Sequence, residues 1–209
     1  MFARGELLVP GHLTLLSPDA DAQIMLGRLE HARAQPEAVS GLLAMLRQAN
    51  WRPHLVACAT LMLQPNGSVE SSLLDALWET LEHGSWVSPQ LVAVASRCDP
   101  SFAERSETRL RQGCSVSGWP RPGAPSVEPE SGSRLGHSGK QAAAFIATRA
   151  DLDPPLLEPT FADPHLRDLL PTAERGGELA VEWRDGIEVQ VTAYLDRTII
   201  GRARSPEAH

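Results

Sequence analysis

Cysteine, lysine and aromatic side chains are scarce in this chain, and each scarcity excludes something. Three cysteines in 209 residues, an odd number without framework spacing, exclude a disulfide-stapled fold and point to a reducing compartment. A single lysine, Lys140, accompanies eighteen arginines, and 26 acids outnumber them for a formal charge of −7. That balance argues against nucleic acid as a partner, because a broad grip on it depends on clustered cations that neutralise phosphates. No apolar run is long enough for a bilayer. The opening MFARGELLVPGHLTLL has one Arg and is interrupted by Pro10 and Gly11, so neither signal peptide nor anchor is expected. GxSxG, HExxH and dinucleotide fingerprints are also missing. The expectation is a soluble, cytoplasmic protein with no cofactor, no metal and no membrane partner.

What is present is patterned. Hydrophobic residues make up 42% of the chain and charged ones 22%, enough for a real core in one domain or two small ones. Two consecutive stretches, 41–62 and 71–98, read as copies of one helix-turn-helix unit. Leu42-Leu43-Ala44-Met45-Leu46 corresponds to Leu73-Leu74-Asp75-Ala76-Leu77, at an offset of 31 residues. Each copy continues with a Trp, a Pro, then a polar residue and an aliphatic helix: Trp51, Pro53, His54-Leu55-Val56-Ala57, and Trp86, Pro89, Gln90-Leu91-Val92-Ala93. Paired helices at such a period are the mark of an α-solenoid.

The remaining segments are placed around this pair. Residues 1–16 are expected to be extended. Ser17-Pro18-Asp19 opens a helix to about Ala34 whose inner side is Ile24, Met25, Leu29 and Ala32. Pro36 opens the helix carrying Val39, Leu42, Leu43, Leu46 and Ala49, and Asn50 caps the next, about 51–63, which is apolar almost all round. Helices over 69–82 and from Ser88-Pro89 through Cys98 form the second copy, and a charged helix over 101–112 begins a third. Residues 113–139, rich in Pro, Gly and Ser, predict a mobile loop inserted in the third pair. Helices resume over 140–170, with a short one at 164–170. Beyond Gly176-Gly177 the apolar period becomes two: Leu179, Val181 and Trp183, an Asp185-Gly186 turn, then Ile187, Val189 and Val191. This predicts a β-hairpin or small meander over 171–209.

On these residues the chain resembles HEAT or armadillo-type repeat proteins, in particular the short bacterial HEAT-like arrays, over 36–112 and 139–170. The resemblance implies a curved, mainly α scaffold that binds another macromolecule, and transfers no catalytic residue. It is read as a non-catalytic protein-binding adaptor, with an enzyme or enzyme subunit whose site lies between helices and C-terminal strands as the alternative, and HEAT-like nucleic-acid binding as a third class.

The candidate partner-binding residues are those at the second helices of the two copies: Arg52, His54, Gln90 and Arg97, with Trp51 and Trp86. The two Trp could form an aromatic ridge or cap the inter-helix core, and the core is favoured. His54 and Cys58 stand at a zinc-ligand spacing, but no second pair accompanies them, so Cys58 and Cys98 are read as core residues. Cys114, at the loop edge, is expected to be an exposed thiol. Gly136-His137-Ser138-Gly139-Lys140 echoes a phosphate loop but lacks its upstream Gly and its Ser or Thr, and follows no strand.

Overall fold

A computed structural model describes residues 12–16, 21–65, 67–119, 131–149 and 164–203. Among these there are eight α-helices, a 3-10 turn at His12–Leu15, and no strand. The chain is mainly helical. The helices are α1 (Ala22–Arg33), α2 (Ala38–Leu46), α3 (Trp51–Met62), α4 (Ser71–His83), α5 (Ser88–Cys98), α6 (Phe102–Arg111), α7 (Ser131–Thr148) and α8 (Pro164–Ala203). None is long and apolar enough to cross a membrane among the described residues.

Local chemistry sets the ends of the central helices. The Asn50 side chain accepts the Arg52 N–H at 3.1 Å, the cap expected of it. Pro89 sits in the first turn of α5, where a missing N–H costs nothing. Gly84 closes α4 at φ 87°, a conformation a side chain would strain. Every residue of α3 from His54 to Met62 is buried, as anticipated for a helix with neighbours on all sides.

The helices pack in layers. α2 lies against α3 and α4; α3 lies against α5, and α5 against α7. α8 runs along α7 and also reaches α5, α1 and α3. One buried core joins Leu26, Leu46, Leu55, Leu77, Leu91 and Phe145 with the inner face of α8. Ties between successive helix pairs recur at nearly constant separation. His54 meets Ser85, 31 residues on; Thr80 donates to the Leu46 carbonyl, 34 back; Arg97 donates to the Met62 carbonyl, 35 back; Trp119 donates to the Gly84 carbonyl, 35 back. The Thr80 and Arg97 bonds satisfy carbonyls at the ends of α2 and α3 that have no partner within their own helices. Between the second pair and α7, Trp78 of α4 stacks on Phe145 at 5.8 Å and donates its indole N–H to Asp99 at 2.7 Å.

The C-terminal hairpin or meander is corrected: residues 164–203 are one helix, and the short helix at 164–170 is its beginning. Its inner face is Ala180, Trp183, Ile187 and Val191, all buried, with Tyr194 packed behind them. Steps of three and four residues are the helical period. Of the apolar residues read as strand residues, Trp183, Ile187 and Val191 lie on this stripe, whereas Leu179, Val181 and Val189 fall off it, Val189 being 65% exposed. Gly176-Gly177 is no break but a close approach: a Cβ on Gly177 would stand 2.9 Å from the Ala143 carbonyl oxygen of α7, and one on Gly176 3.2 Å from the Lys140 backbone.

The loop over 113–139 is corrected at both ends. Residues 131–139 belong to α7, which makes Gly136–Lys140 helical rather than a phosphate loop. Residues 113–119 pack down, with Cys114 and Val116 buried. The expected exposed thiol is thus enclosed. At the N-terminus His12–Leu15 is a 3-10 turn rather than extended chain, and Ile24, assigned to the core, is 69% exposed. Residues 1–11, the Ser17-Pro18-Asp19 cap, the middle of the loop at 120–130 and the connection at 150–163 lie outside the described residues.

Candidate partner-binding edge

The N-terminal ends of α3 and α5 come together at one edge, and the turn Gly84-Ser85 is the joint. His54, on the first turn of α3, is 1% exposed. Its Nε2 lies 2.7 Å from the Gln48 carbonyl oxygen, which can only accept, so Nε2 carries the proton. Nδ1 then accepts the Ser85 hydroxyl at 2.8 Å. Burial pushes the His54 pKa down to about 4, with the carbonyl bonds acting the other way, so the ring is neutral at pH 7. On the other side of the turn, His137 of α7 lies with Nδ1 2.9 Å from the Ser85 carbonyl oxygen. Its pKa is also lowered, chiefly by burial.

Trp119 closes this joint. Its ring stacks on His54 at a centroid distance of 5.5 Å and meets His83 at 4.7 Å, while its indole N–H donates to the Gly84 carbonyl at 2.8 Å. The Ser85 and His54 pair has the bond length of a nucleophile and its base. A ring whose pKa is near 4 withdraws a proton poorly at neutral pH, and Ser85 is 5% exposed. The pair fastens two helix turns together.

Of the six residues expected to bind a partner, the structure sends three inward. His54 is the clasp just described, and Gln90 is 5% exposed inside α5. Arg97 caps α3 through the carbonyls of Met62 and Gln64 and lies 3.4 Å from Glu188 of α8. His54 and Arg97 thus bond to backbone carbonyls of neighbouring helix ends. Gln141 does the same in α7, donating to the Leu81 carbonyl at 2.7 Å.

The other three face outward to differing degrees. Trp51 is half-buried against the core, with the exposed Arg52 guanidinium 4.8 Å from its ring centre. Trp86 is 69% exposed, contrary to the favoured core placement, and the Lys140 ammonium sits 4.5 Å from its ring centre. Trp119 and Lys140 were not among the expected site residues. Trp119 follows Trp86 by 33 residues and is itself followed by Pro, which is the signal the Trp-then-Pro pattern offered.

Elsewhere the chemistry is structural. Cys58, Cys98 and Cys114 are free and buried, and burial raises all three thiols, Cys114 to about 12. Among the described residues no group of three or more His, Cys, Asp or Glu is placed to hold a metal ion. The strands meant to form one wall of an enzymatic site are helix α8, packed on its neighbours. No protein family, curated protein or solved structure matches this chain.

Proposed function

We propose that this protein is a non-catalytic, protein-binding scaffold whose helix pairs stack as a HEAT-like α-solenoid. The observation that carries the reading is the recurrent tie between successive pairs, 31 to 35 residues apart for His54, Thr80, Arg97 and Trp119. A stack built of near-equivalent units presents equivalent positions side by side, and such ridges are the surfaces repeat proteins use for recognition. The polar residues that would otherwise invite catalysis are absorbed in holding the units together. The partner is another protein, met at the turn edge where Trp51, Arg52 and Trp86 remain accessible. A cytoplasmic setting agrees with three unpaired thiols.

The experiment is affinity capture from the native host with mass spectrometry, followed by reconstitution with the purified candidate and sedimentation analysis. A stoichiometric complex is expected. Purified protein that captures nothing above control, yet turns over a substrate in an unbiased activity screen, would replace the scaffold with the enzyme reading.

A further inference from the structure

The geometry points to an acidic, apolar-anchored segment of the partner protein as the ligand of the turn edge, held by Trp86 and Lys140 at one end and by Trp51 and Arg52 at the other. This rests on the scaffold reading and names the chemistry of what the scaffold takes.

Three observations converge on it. The first is exposure: Trp78 and Trp183 are buried, whereas Trp86 has 69% of its surface in water. A large, stiff aromatic left open is the commonest anchor of a protein interface. The second is that the two cations at this edge are held over aromatic rings, 4.5 Å for Lys140 on Trp86 and 4.8 Å for Arg52 on Trp51. Neither forms an ion pair among the described residues; the exposed Arg28 forms none either but stands over no ring, while Arg33, Arg47, Arg97, Arg105 and Arg111 are all paired. A cation fixed on a ring, with its other side open, is oriented to receive a carboxylate without first losing a local partner. The third is continuity. Trp51 lies one helical turn before His54, His54 holds Ser85, and Ser85 precedes Trp86, with Trp119 stacked on His54 between them. The two cation-aromatic pairs therefore flank one joint, in which the buried His54–Ser85 bond ties the start of α3 to the turn before α5.

The net charge of −7 gives this local arrangement its meaning. A net acidic chain repels acidic partners except where cations stand unpaired, so a segment alternating acid and apolar residues finds its match where such cations lie beside accessible indoles, as at this edge. The alternation matches the site: side chains packing on the indoles, carboxylates on Lys140 and Arg52.

The test is fluorescence anisotropy with a short labelled peptide alternating Glu and Leu, against the full chain. Its counterparts carry Gln or Lys in place of Glu, and an oligothymidylate of equal charge is run alongside. Saturable one-to-one binding of the acidic peptide is expected, weakened about tenfold by Lys140→Glu, by Arg52→Glu and by Trp86→Ala. The Gln and Lys peptides should not bind. Arg52→Glu adds an acid to the first turn of α3, where it favours the helix, so its loss of binding cannot be ascribed to unfolding. Urea midpoints for all variants check the fold. The proposal is overturned if the acidic peptide does not saturate the wild type, if all three variants bind it unchanged, or if oligothymidylate binds more tightly. Lysate capture separates this from the scaffold reading. If the Arg52→Glu, Lys140→Glu double variant retains the wild-type partner, the edge is refuted and the scaffold stands. If the acidic peptide binds and no protein is captured, the edge stands and the scaffold fails.

Discussion

Placing the same methyl group at two glycines on facing helices should change stability in opposite directions. Gly136 lies in α7, where a Cβ would meet nothing within 4 Å. In a helix Ala is favoured over Gly by about 1 kcal/mol, so Gly136→Ala should stabilise by about that amount. Gly177 is also helical, and on propensity alone would give the same gain. Its Cβ, however, would stand 2.9 Å from the Ala143 carbonyl oxygen and 3.0 Å from the Ala147 Cβ. Both belong to α7, and a carbonyl in a helix has little freedom to retreat. Overpacking of this kind costs about 1 to 3 kcal/mol, so after the propensity gain Gly177→Ala should come out neutral to destabilising by about 2 kcal/mol. The two variants should thus differ by roughly 1 to 3 kcal/mol, which for a chain of this size corresponds to a few degrees in Tm. Urea unfolding followed by far-UV circular dichroism measures both, with equal m values confirming that only stability has changed. If Gly177→Ala stabilises as much as Gly136→Ala, the seam between α7 and α8 is not packed as described. The C-terminal helix would then lie elsewhere.

Leu46 and Leu77 occupy matching places in the two copies and are fully buried, so Leu46→Ala and Leu77→Ala should each cost about 2 to 5 kcal/mol in chemical denaturation; a loss under 1 kcal/mol at both would put these faces in solvent. His54 has its pKa lowered from 6.5 to about 4, so the unfolded chain binds the extra proton between those values and stability falls as pH drops from 6.5 towards 4, by at most roughly 3 kcal/mol. Denaturation midpoints against pH should show this loss, and it should shrink in a His54→Gln variant, which keeps only the contribution of His137 over that range. With all three thiols buried and raised, an aromatic disulfide reagent at pH 8 should find no reactive cysteine in the native protein on a timescale that modifies all of them in urea; rapid native reaction of one would show Cys114 open.

The parts of the fold legible in the sequence are those where punctuation and period agree. Asn50 stops one helix and caps the next, Pro89 begins α5, and Gly84 ends α4 with a positive φ, so the bounds from α2 to α6 fall close to those expected. The C-terminus misled because its apolar residues satisfy two periods at once. Leu179, Trp183, Ile187 and Val191 are each four apart, a helical step, while Val181 and Val189 between them complete an alternation. Gly176-Gly177 then reads as the place where the helical period ends. The two glycines mark where α7 and α8 touch, a role visible only once Lys140, Ala143 and Ala147 face them. Tertiary packing decided what propensity left open. At the proposed turn edge the Trp pattern marked where the starts of α3 and α5 meet but not the division of labour. Nothing in the spacing says that His54 will spend both ring nitrogens on Gln48 and Ser85, because neither partner is adjacent in the helix register. Lys140 reads as the start of a helix, but nothing in the sequence places it over the Trp86 ring.

The most direct measurement of the central claim is amide hydrogen exchange on the complex with the captured partner, compared with the free protein. Slower exchange is predicted in peptides covering 47–54, 82–90, 115–119 and 136–141, the backbone around Trp51, Trp86, Trp119 and Lys140. Protection confined to the outer face of α8 around Val189, with those peptides unchanged, would contradict the claim that this protein takes its partner at the turn edge.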